Sequence, residues 1–329
     1  MYYLETESFD PCYNLALEQY LLENKTEGDW LLLWQNDNTI VVGRNQNTLA
    51  EINSSFVEEH QVTVVRRITG GGAVYHDLGN LNYSFITDAG EDARNNIHRF
   101  TEPVCKALRK MGLDAETSGR NDILINGRKV SGVAQRLHNG RILHHGTLLF
   151  DSDPNMVAGA LNVDPEKYRS KGAKSVRARI GNIRDALPED MTMEEFWERL
   201  REELTAEDTI HPTLTAEERI RIQNLAEERY QNWDWTYGKS PKCNLTNKKR
   251  FPGGAVEVQA QINHGRIEEI HFYGDYMALE DGNTVSELLK GIAYEKDAVN
   301  ECLNSIDIKN YFGSIKTEDL IGLIFPDNS

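Results

Sequence analysis

Three consecutive glycines, residues 70–72, stand in the stretch RRITGGGAVYHD (residues 66–77). Glycine has no side chain and tolerates positive φ, so such a run lets the backbone approach a ligand closely. Successive N–H groups in a turn of this kind can form a concave site for an anion. Arg66 and Arg67 before the turn, and His76 after it, could supply charge and polar contacts. The pattern is typical of an anion-binding loop, and a tight turn without a ligand would have the same composition.

Two common nucleotide-binding motifs are absent from the sequence. Tyr75 stands where the third glycine of GxGxxG would be, and GxxxxGK[ST] occurs nowhere in the chain. A nucleotide, if one binds near the glycines, would therefore be bound in another manner.

A lysine and an aspartate stand in a second stretch with chemical potential, SGRNDILINGRKVSGVAQ (residues 118–135). The Asn126-Gly127 pair predicts a tight hairpin, because this dipeptide favours the turn that matches strand twist. Lys129 lies on the second strand of that hairpin, so regular backbone would hold its ammonium group in a fixed position. Taken alone, Lys129 also fits a solvated surface lysine, and Asp122 also fits a plain turn residue.

The middle of the chain is cationic although the whole chain is acidic. Residues 120–180 contain 11 Lys/Arg against 5 Asp/Glu, whereas residues 189–234 contain 14 Asp/Glu against 5 Arg and no Lys. The stretch YRSKGAKSVRARIGNI (168–183) is basic, contains no acidic residue and has little apolar periodicity, which predicts a mobile basic loop. The cationic middle suggests a site for a small anion, and the acidic stretch fits a solvated helix face.

Apolar periodicity and turn residues predict the elements that would position these residues. The predicted strands are WLLLW (30–34), TIVVG (39–43), VTVVR (62–66), LNYSFIT (81–87) and RILHHGTLLF (141–150). LNYSFIT alternates as a half-buried strand should. Helices are predicted from Asp10-Pro11 onward, from Thr101, Glu102 and Pro103 to Gly112, and after the capping boxes Thr192/Glu195 and Thr215/Glu218.

The composition of the chain changes near residue 245. The polar, basic stretch KSPKCNLTNKKR is followed by AVEVQAQI (255–262), a turn and RIEEIHFY (266–273), which predict a second hairpin. Thr284 and Glu287 then mark a helix start. We therefore expect a boundary within residues 240–250, which divides the chain into domains at 1–245 and 246–329.

Composition limits the class of protein. Hydrophobic residues make up 39% of 329 residues, enough for a substantial core, and no run approaches the roughly 18 apolar residues that a membrane span needs. The net charge of −16 argues against nucleic acid as the main partner. The N-terminal residues MYYLETESFD are acidic where a secretory signal would be basic, and the four cysteines lie far apart. A cytoplasmic protein with free thiols, without a membrane or nucleic-acid partner, is expected.

Together, RRITGGGAVYHDLGNLNYSF, SGRND…GRKVSGVAQ…HHGTLLF and KGAKSVRARIGNI resemble the lipoate–protein ligases of the adenylate-forming type. The resemblance runs from about residue 2 to the end of the chain. It implies an α+β fold, in which a catalytic domain like that of biotin ligases has a mixed β-sheet with packed helices. A small α+β C-terminal accessory domain would follow.

The resemblance implies a reaction in two steps. Lipoate and ATP, with Mg²⁺, would give lipoyl-adenylate and pyrophosphate. The ε-amine of an acceptor lysine would then attack the acyl carbon and release AMP. The implied acceptors are lipoyl domains of 2-oxoacid dehydrogenase acyltransferase subunits or the glycine-cleavage H protein. An apolar tunnel for the acyl tail would also accept octanoate, because burial supplies about 0.8 kcal/mol per CH₂.

The resemblance also implies roles for individual residues. Lys129 matches the central lysine of the family, which would draw the lipoate carboxylate and the α-phosphate together. The implied ATP or adenylate contacts are Arg67, Gly72, Ala73, Val74, Tyr75, Lys129, Asp122, Lys174, Ser175 and Arg177. The implied lipoate contacts are Gly70, Gly71, Gly72, His76 and Lys129. Asp122 is the candidate contact for the metal, and the loop with Lys174 would close over the adenylate and exclude water.

Two other activities remain open at the level of sequence. An acyltransferase of the same fold would move octanoyl or lipoyl groups through a cysteine thioester without ATP, and would need a cysteine near the lysine hairpin. Cys12, Cys105, Cys243 and Cys302 are all poorly placed for that role. A non-catalytic lipoate-binding module would be expected to lack Lys129 or Arg67, and both are present. The sequence leaves open the acceptor, the preferred chain length, the oligomeric state and the orientation of the C-terminal domain.

Overall fold

The computed structural model describes residues 1–90, 97–118, 122–161, 180–237 and 245–325. The larger part of the described chain contains a seven-stranded and a three-stranded sheet. In chain order the strands of these two sheets are β1 (Tyr2–Glu5), β2 (Trp30–Trp34), β3 (Thr39–Val42), β4 (Thr63–Arg66), β5 (Val74–His76), β6 (Asn80–Asp88), β7 (Ala115–Ser118), β8 (Asp122–Ile125), β9 (Arg128–His138) and β10 (Arg141–Leu149). The seven-stranded sheet has the order β1-β2-β6-β10-β9-β8-β7, and the three-stranded sheet has the order β4-β3-β5.

Both sheets are mixed. In the large sheet β1 pairs parallel with β2, whereas β2 and β6, and β6 and β10, are antiparallel. In the small sheet β3 is parallel to β4 and antiparallel to β5. Because β4 and β5 both pair with β3, the glycine turn that connects them lies at one end of this small sheet. The predicted mixed β-sheet with packed helices is thereby confirmed.

Helices cover both faces of the large sheet and also pack against the small sheet. In chain order they are α1 (Pro11–Asn24), α2 (Thr48–Glu51), α3 (Ser54–Glu59), α4 (Ile97–Lys110), α5 (Pro154–Ala160), α6 (Met193–Leu204), α7 (Ala216–Leu225) and α8 (Trp233–Thr236). One apolar cluster joins α4 and α6 to the sheet around Tyr83 and Leu108. A second cluster joins α1 to the other face around Leu15 and Leu32.

Local sequence signals account for several of these elements. Asp10 caps α1 by accepting from the N–H of Cys12, and Pro11 occupies the first turn. Both predicted capping boxes are present, at the starts of α6 and α7. The apolar positions of α6 are buried and its acidic residues are largely exposed, which agrees with a solvated helix face.

Two predictions about elements are wrong in detail. Strand β6 is not half-buried: its residues are buried on both faces, apart from Phe85 and Asp88, because helices or the small sheet cover each side. Helix α4 already includes Ile97, so Pro103 stands inside the helix and does not open it. Gly112 follows this helix with φ +86°, as expected for a residue after a helix end.

The C-terminal part has its own three-stranded antiparallel sheet, in the order β11-β12-β13. Its strands are β11 (Leu245–Phe251), β12 (Gly254–Asn263) and β13 (Arg266–Gly274). Its helices are α9 (Asn283–Leu289), α10 (Lys296–Asn304), α11 (Lys309–Phe312) and α12 (Thr317–Ile324). These elements share a separate apolar core, and the predicted small α+β unit is confirmed in its architecture. Strand β11 was not predicted from the sequence.

Among the described residues, three backbone hydrogen bonds join the C-terminal part to the larger part. Gly71 donates its N–H to the carbonyl of Tyr276 at 3.2 Å, and Leu137 donates to Leu279 at 3.0 Å. Gly274 donates to the carbonyl of Asn45 at 2.6 Å. The glycine turn is therefore in direct contact with the C-terminal part. No helix in the described ranges combines the length and the apolar character that a membrane crossing requires.

Candidate active site

A cleft lies between the large sheet and the glycine turn, and most of the predicted site residues surround it. The residues that line the cleft are Leu15, Trp34, Val41, Arg67, Gly71, Gly72, Ala73, Val74, His76, Asn82, Lys129, Gly132, Val133, Ala134, His145, Gly146 and Thr147. They come from α1, from both sheets and from the turn itself. Apolar and small residues dominate the wall, and a few polar groups point into it, as is typical of a small-molecule site.

Lys129 reaches this cleft because of an irregularity in its hairpin. Asn126 and Gly127 have φ of +52° and +73°, which confirms the predicted tight turn. The pairing of β8 with β9 then shifts register: Ile123 pairs with Ser131, whereas the next residue, Leu124, pairs with Lys129. The extra residue is a β-bulge, and a bulge re-aims side chains that strict alternation would place on the other face.

As a result, the Lys129 side chain lies over Gly132, which has no side chain. A Cβ built on Gly132 would stand 3.0 Å from the Lys129 Nζ atom. The hairpin also places the Asp122 carboxylate 2.7 Å from this ammonium group. Both side chains are partly exposed, at 39% and 34%, so the pair is open to a ligand from the cleft. The structure thus brings Lys129 and Asp122 together as an ion pair at the cleft.

The chain that returns after the basic stretch is fixed to the lysine backbone. Gly181 donates its N–H to the carbonyl of Lys129 at 3.0 Å, and Ile180 forms an isolated bridge with Lys129. Lys174, Ser175 and Arg177, the residues predicted on the adenylate loop, lie outside the described residues.

Arg67 is buried beneath the glycine turn and shapes it from within. Its guanidinium group donates to the carbonyls of Gly70 at 2.6 Å and Gly72 at 2.9 Å, and to that of Val41 at 3.0 Å. Its Nε atom donates to Thr69 Oγ1 at 2.9 Å. Burial lowers the pKa of Arg67 to about 10, which still leaves it charged at neutral pH. The positive charge therefore lies directly behind the turn.

Arg66 has a different role from its neighbour, because adjacent residues of a strand point to opposite faces. Its guanidinium group turns away from the cleft and ties together two distant segments. Its six acceptors are Gly43 O, Arg44 O, Gln46 O, Thr48 Oγ1, Trp235 O and Thr236 O. The charge that the sequence suggested for the anion site thus comes from Arg67, and Arg66 is a buried structural residue.

The three glycines have different surroundings. Gly70 faces the C-terminal part, where a Cβ would lie 3.0 Å from both the Tyr276 carbonyl oxygen and the Ala278 nitrogen. Gly71 has φ +88°, and a Cβ on it would lie 3.2 Å from the Met277 sulfur atom. Gly72 lines the cleft and accepts from Arg67 through its carbonyl. Gly71 and Gly72 therefore border the cleft, whereas Gly70 makes room for the C-terminal part.

The residues after the glycines are divided between the cleft and the core. Ala73, Val74 and His76 line the cleft. The Tyr75 side chain instead packs in the core of the small sheet, and its hydroxyl donates to Asn38 Oδ1 at 3.0 Å. Any contact of Tyr75 with a nucleotide would have to come from its backbone.

A hydrogen-bonded relay links the wall of the cleft to Arg67, and the sequence did not reveal it. Ser84 Oγ donates to Glu18 Oε1 at 2.6 Å, and His145 Nδ1 lies 2.8 Å from the same oxygen. His145 Nε2 lies 2.8 Å from Thr69 Oγ1, which accepts from Arg67. The buried carboxylate of Glu18 and the buried guanidinium of Arg67 thereby offset one another through two intervening groups.

Two signals could have revealed this relay. Glu18 is a charged residue on an otherwise apolar face of NLALEQYLLEN, and it is 1% exposed. His145 belongs to a histidine pair within a strongly apolar strand. A charged or titratable residue in a segment that must be buried requires a partner. The partner itself, more than one hundred residues away, cannot be read from such a local pattern.

The described cysteines offer no nucleophile for a thioester. Cys12 and Cys105 are buried in helices, and burial raises their pKa values to about 12 and about 11. Cys302 belongs to α10 in the C-terminal part. None of the three lines the cleft, and Cys243 lies outside the described residues. Within the described ranges, no group of three or more His, Cys, Asp or Glu side chains could hold a metal ion by itself.

Two family models match the chain. The lipoyl protein ligase A/B catalytic domain matches residues 10–205, and the bacterial lipoate protein ligase C-terminus matches residues 240–324. The first match contains every described residue that lines the cleft, and the second spans the C-terminal sheet and its helices.

Individual relatives agree with the family models. The lipoate-protein ligase LplJ of Bacillus subtilis (strain 168) is 44% identical over 321 residues, which are 96% of this chain and 97% of the relative. A crystal structure of P. falciparum LipL1 in complex with lipoate is 27% identical, with a TM-score of 0.78 over 93% of this chain and 94% of that one. A lipoate-protein ligase A bound with ATP is 26% identical, with a TM-score of 0.62 over 72% and 97%. This chain belongs to the lipoate–protein ligase family and is an enzyme of that class.

Proposed function

We propose that this enzyme activates lipoate with ATP and transfers the lipoyl group to a lysine of an acceptor protein, with Lys129 as the central catalytic residue. In the first step a carboxylate oxygen of lipoate attacks the α-phosphorus of ATP, and pyrophosphate leaves. In the second step the acceptor amine attacks the acyl carbon, and AMP leaves with the electron pair of the broken anhydride bond. The observation that carries the proposal is the fixed ammonium group of Lys129 at a cleft bordered by the glycine turn.

Lys129 supplies what the first step requires. Two anions must approach each other, and negative charge develops on the phosphate as the new bond forms. The bulge directs the ammonium group over Gly132, so it can contact both anions without a large movement. Asp122 holds the ammonium in place at 2.7 Å. A ligand phosphate can share this cation with the carboxylate because both side chains are partly exposed.

Arg67 and the glycine turn would hold the nucleotide. Its guanidinium holds the carbonyls of Gly70 and Gly72, and the N–H of Gly71 is bound to the Tyr276 carbonyl, so the N–H groups that would contact an anion are those of the residues after Gly71. The buried positive charge behind the turn favours an anion in front of it. We propose that Gly72, Ala73, Val74 and Tyr75 contact ATP through their backbone.

The apolar part of the cleft would hold the acyl chain. Leu15, Trp34, Val41 and Ala134 line it and offer a wall suited to a hydrocarbon tail. Burial of the methylene groups contributes about 0.8 kcal/mol for each CH₂. Octanoate should therefore be a second substrate.

A magnesium ion that arrives with ATP would need only one or two carboxylates from the protein. Mg²⁺ in nucleotide sites is held by one or two carboxylates together with substrate phosphates and water. Asp122 is a carboxylate next to the catalytic lysine, so it would be the protein contact. Bound in this way, Mg²⁺ would neutralise part of the phosphate charge.

The remaining parts of the proposal concern the partner and the two domains. We propose that residues 1–245 carry the reaction and that residues 246–329 form an accessory domain, since the C-terminal sheet has a core of its own. Lys174, Ser175 and Arg177 would close over the adenylate. The acceptors would be lipoyl domains of 2-oxoacid dehydrogenases or the glycine-cleavage H protein. A cytoplasmic location fits the three free thiols among the described residues.

A two-stage assay tests this function. The protein is mixed with ATP, Mg²⁺ and lipoate without acceptor, and pyrophosphate is measured; candidate acceptor domains are then added, and their mass is followed. We expect pyrophosphate in the first stage and a lipoyl mass increase in the second. Lys129→Met should reduce both by at least about 10²–10³-fold. Lys248→Met, at an exposed position of β11, serves as a control for loss of a lysine. Lipoyl transfer without ATP, or full activity of Lys129→Met, would contradict the proposal.

A further inference from the structure

Two buried hydrogen-bond donors in the cleft have no partner among the described residues. They are Nε2 of His76 and Nδ2 of Asn82. The two side chains are 3% and 2% exposed, and both line the cleft. They are neighbours of the same residue: Trp34 pairs with Asn82 across β2 and β6, and its ring lies 6.3 Å from the ring of His76. An unpaired donor in such a place is costly unless a ligand accepts from it.

The hydrogen bonds behind His76 fix which of its nitrogens carries the proton. Asn14 Nδ2 donates to two backbone carbonyls, those of Ser8 at 2.9 Å and Gln35 at 2.8 Å, so the orientation of this amide is settled. Asn14 Nδ2 also lies 3.0 Å from Asn36 Oδ1, so Asn36 must present its Nδ2 to His76 Nδ1, at 3.2 Å. His76 Nδ1 is therefore an acceptor, and the proton resides on Nε2.

Burial also keeps His76 neutral. It lowers the pKa of this histidine to about 3, with a further contribution from the positive charge of Arg67. The side chain is therefore a neutral imidazole whose single N–H belongs to Nε2. Asn82 is similar: its Oδ1 accepts from Asn80 at 3.0 Å, which leaves Nδ2 as the unpaired atom. As placed, both side chains present an N–H group to the cleft, so they suit a ligand atom that accepts a hydrogen bond.

The position of Asn82 relative to Lys129 follows from the strand register. Asn82 pairs with Thr147 across β6 and β10, and Thr147 Oγ1 accepts from the N–H of Gly132 on β9 at 3.2 Å. The Lys129 ammonium lies over Gly132. Two strand spacings therefore separate Asn82 from the lysine, about 9–10 Å.

This separation matches the length of lipoate. Its carboxyl carbon and its dithiolane ring are separated by five C–C bonds, so a ring sulfur lies roughly 8 Å from the carboxyl carbon when the chain is extended. With the carboxylate beside Lys129, the ring would reach the region of Trp34, His76 and Asn82. Sulfur is a weak acceptor and carries lone pairs that a CH₂ group lacks.

We propose that His76 and Asn82 form a hydrogen-bonding subsite for the dithiolane sulfurs of lipoate, and that this subsite favours lipoate over a hydrocarbon acid of the same shape. The inference rests on the proposed function. A site with buried donors disfavours a ligand that leaves them unpaired, and the discrimination is moderate here because sulfur accepts weakly. Octanoate would remain a substrate, but a poorer one.

A carbocyclic analogue separates the effect of the sulfurs from that of ring shape. Pyrophosphate release is measured with lipoate and with 5-cyclopentylpentanoate, in which CH₂ groups replace both sulfurs. For the unmodified enzyme we expect kcat/KM to be about tenfold or more higher with lipoate. In Asn82→Leu the ratio should fall by about threefold or more, and in the double variant with His76→Phe it should approach one. His76→Phe keeps an aromatic ring next to Trp34.

Controls distinguish a subsite from a general structural effect. Asn304→Leu, at an exposed position of α10, should leave the ratio unchanged, and the KM for ATP should change by less than about twofold in the Asn82 variants. If the double variant fails to fold, the ratio measured for Asn82→Leu and for the smaller Asn82→Val tests the inference without it. An unchanged ratio in folded variants that still bind ATP would overturn the inference. Absence of pyrophosphate with either acid in the unmodified enzyme would instead overturn the proposed function.

Discussion

Replacement of Thr69 by valine tests the relay between the cleft wall and Arg67. Thr69 is fully buried, and its hydroxyl accepts from Arg67 Nε at 2.9 Å and lies 2.8 Å from His145 Nε2. Valine has nearly the same shape but no hydroxyl, so both partners lose a hydrogen bond in a place that water cannot reach. The bond to the charged guanidinium contributes about 1.5–3 kcal/mol, and the bond to the imidazole contributes about 1 kcal/mol. We therefore expect Thr69→Val to lower the free energy of unfolding by about 2.5–4 kcal/mol.

The assay compares Thr69→Val with Thr69→Ser. Serine keeps the hydroxyl and removes one methyl group, so its cost should be about 1 kcal/mol. Thermal unfolding should show a fall of about 5–8 °C for the valine variant, because a unit of about 245 residues has an unfolding entropy of about 0.5 kcal/mol/K. Because Arg67 also holds the carbonyls of Gly70 and Gly72, the KM for ATP should rise in Thr69→Val and stay nearly normal in Thr69→Ser. Equal stability and equal KM in the two variants would refute the role assigned to the hydroxyl.

Three further predictions concern the lysine, the glycine turn and pH. Lys129→Met should reduce pyrophosphate release by at least about 10²–10³-fold with little change in Tm, since its ion pair is partly exposed and contributes at most about 1 kcal/mol. Gly71→Ala should lower the free energy of unfolding by about 1–2 kcal/mol, because alanine is strained at φ +88°. Adding Met277→Ala should remove the close contact with the sulfur atom but not the backbone strain, so denaturant titration should show only a partial recovery of stability. His76 and His144 both have pKa values lowered by burial, so the unfolded chain binds protons below about pH 6.5 that the folded chain does not. The free energy of unfolding should be greatest above that pH and should fall by up to about 1.4 kcal/mol per pH unit for each histidine as the pH decreases toward 4. His76→Phe should reduce this slope in unfolding curves measured across that range.

The features predicted well from the sequence are those that depend on neighbours in the chain. The Asn126-Gly127 turn requires two residues with positive φ, and the dipeptide itself supplies that preference. The capping boxes that begin at Thr192 and Thr215 need only residues three positions apart. The resemblance placed Lys129 and the glycine turn in one site, and the structure brings them to the same cleft.

The features that were missed depend on the packing of distant segments. The bulge that directs Lys129 into the cleft comes from the pairing of β8 with β9. Gly132 within the strand is a general signal for a bulge or a close approach, but it does not specify which residue is extra. Alternation in β6 predicted one exposed face, but both faces are covered by elements from elsewhere in the chain. Strand β11 carries Lys248, Lys249 and Arg250, and polar residues of this kind are tolerated on an edge strand although they read as a loop.

The hydrogen bonds of Arg66 have a consequence for any attempt to shorten or divide this polypeptide. The described residues that line the cleft all precede residue 150, so the first two hundred residues would contain them. Yet the carbonyls of Trp235 and Thr236 accept from the buried guanidinium group, and Tyr230 donates its hydroxyl to Gln19 of α1 at 2.7 Å. A fragment that ends before these residues would keep the cleft but leave a buried cation short of acceptors. A functional separation into two polypeptides should therefore fall after Thr236, close to the start of β11.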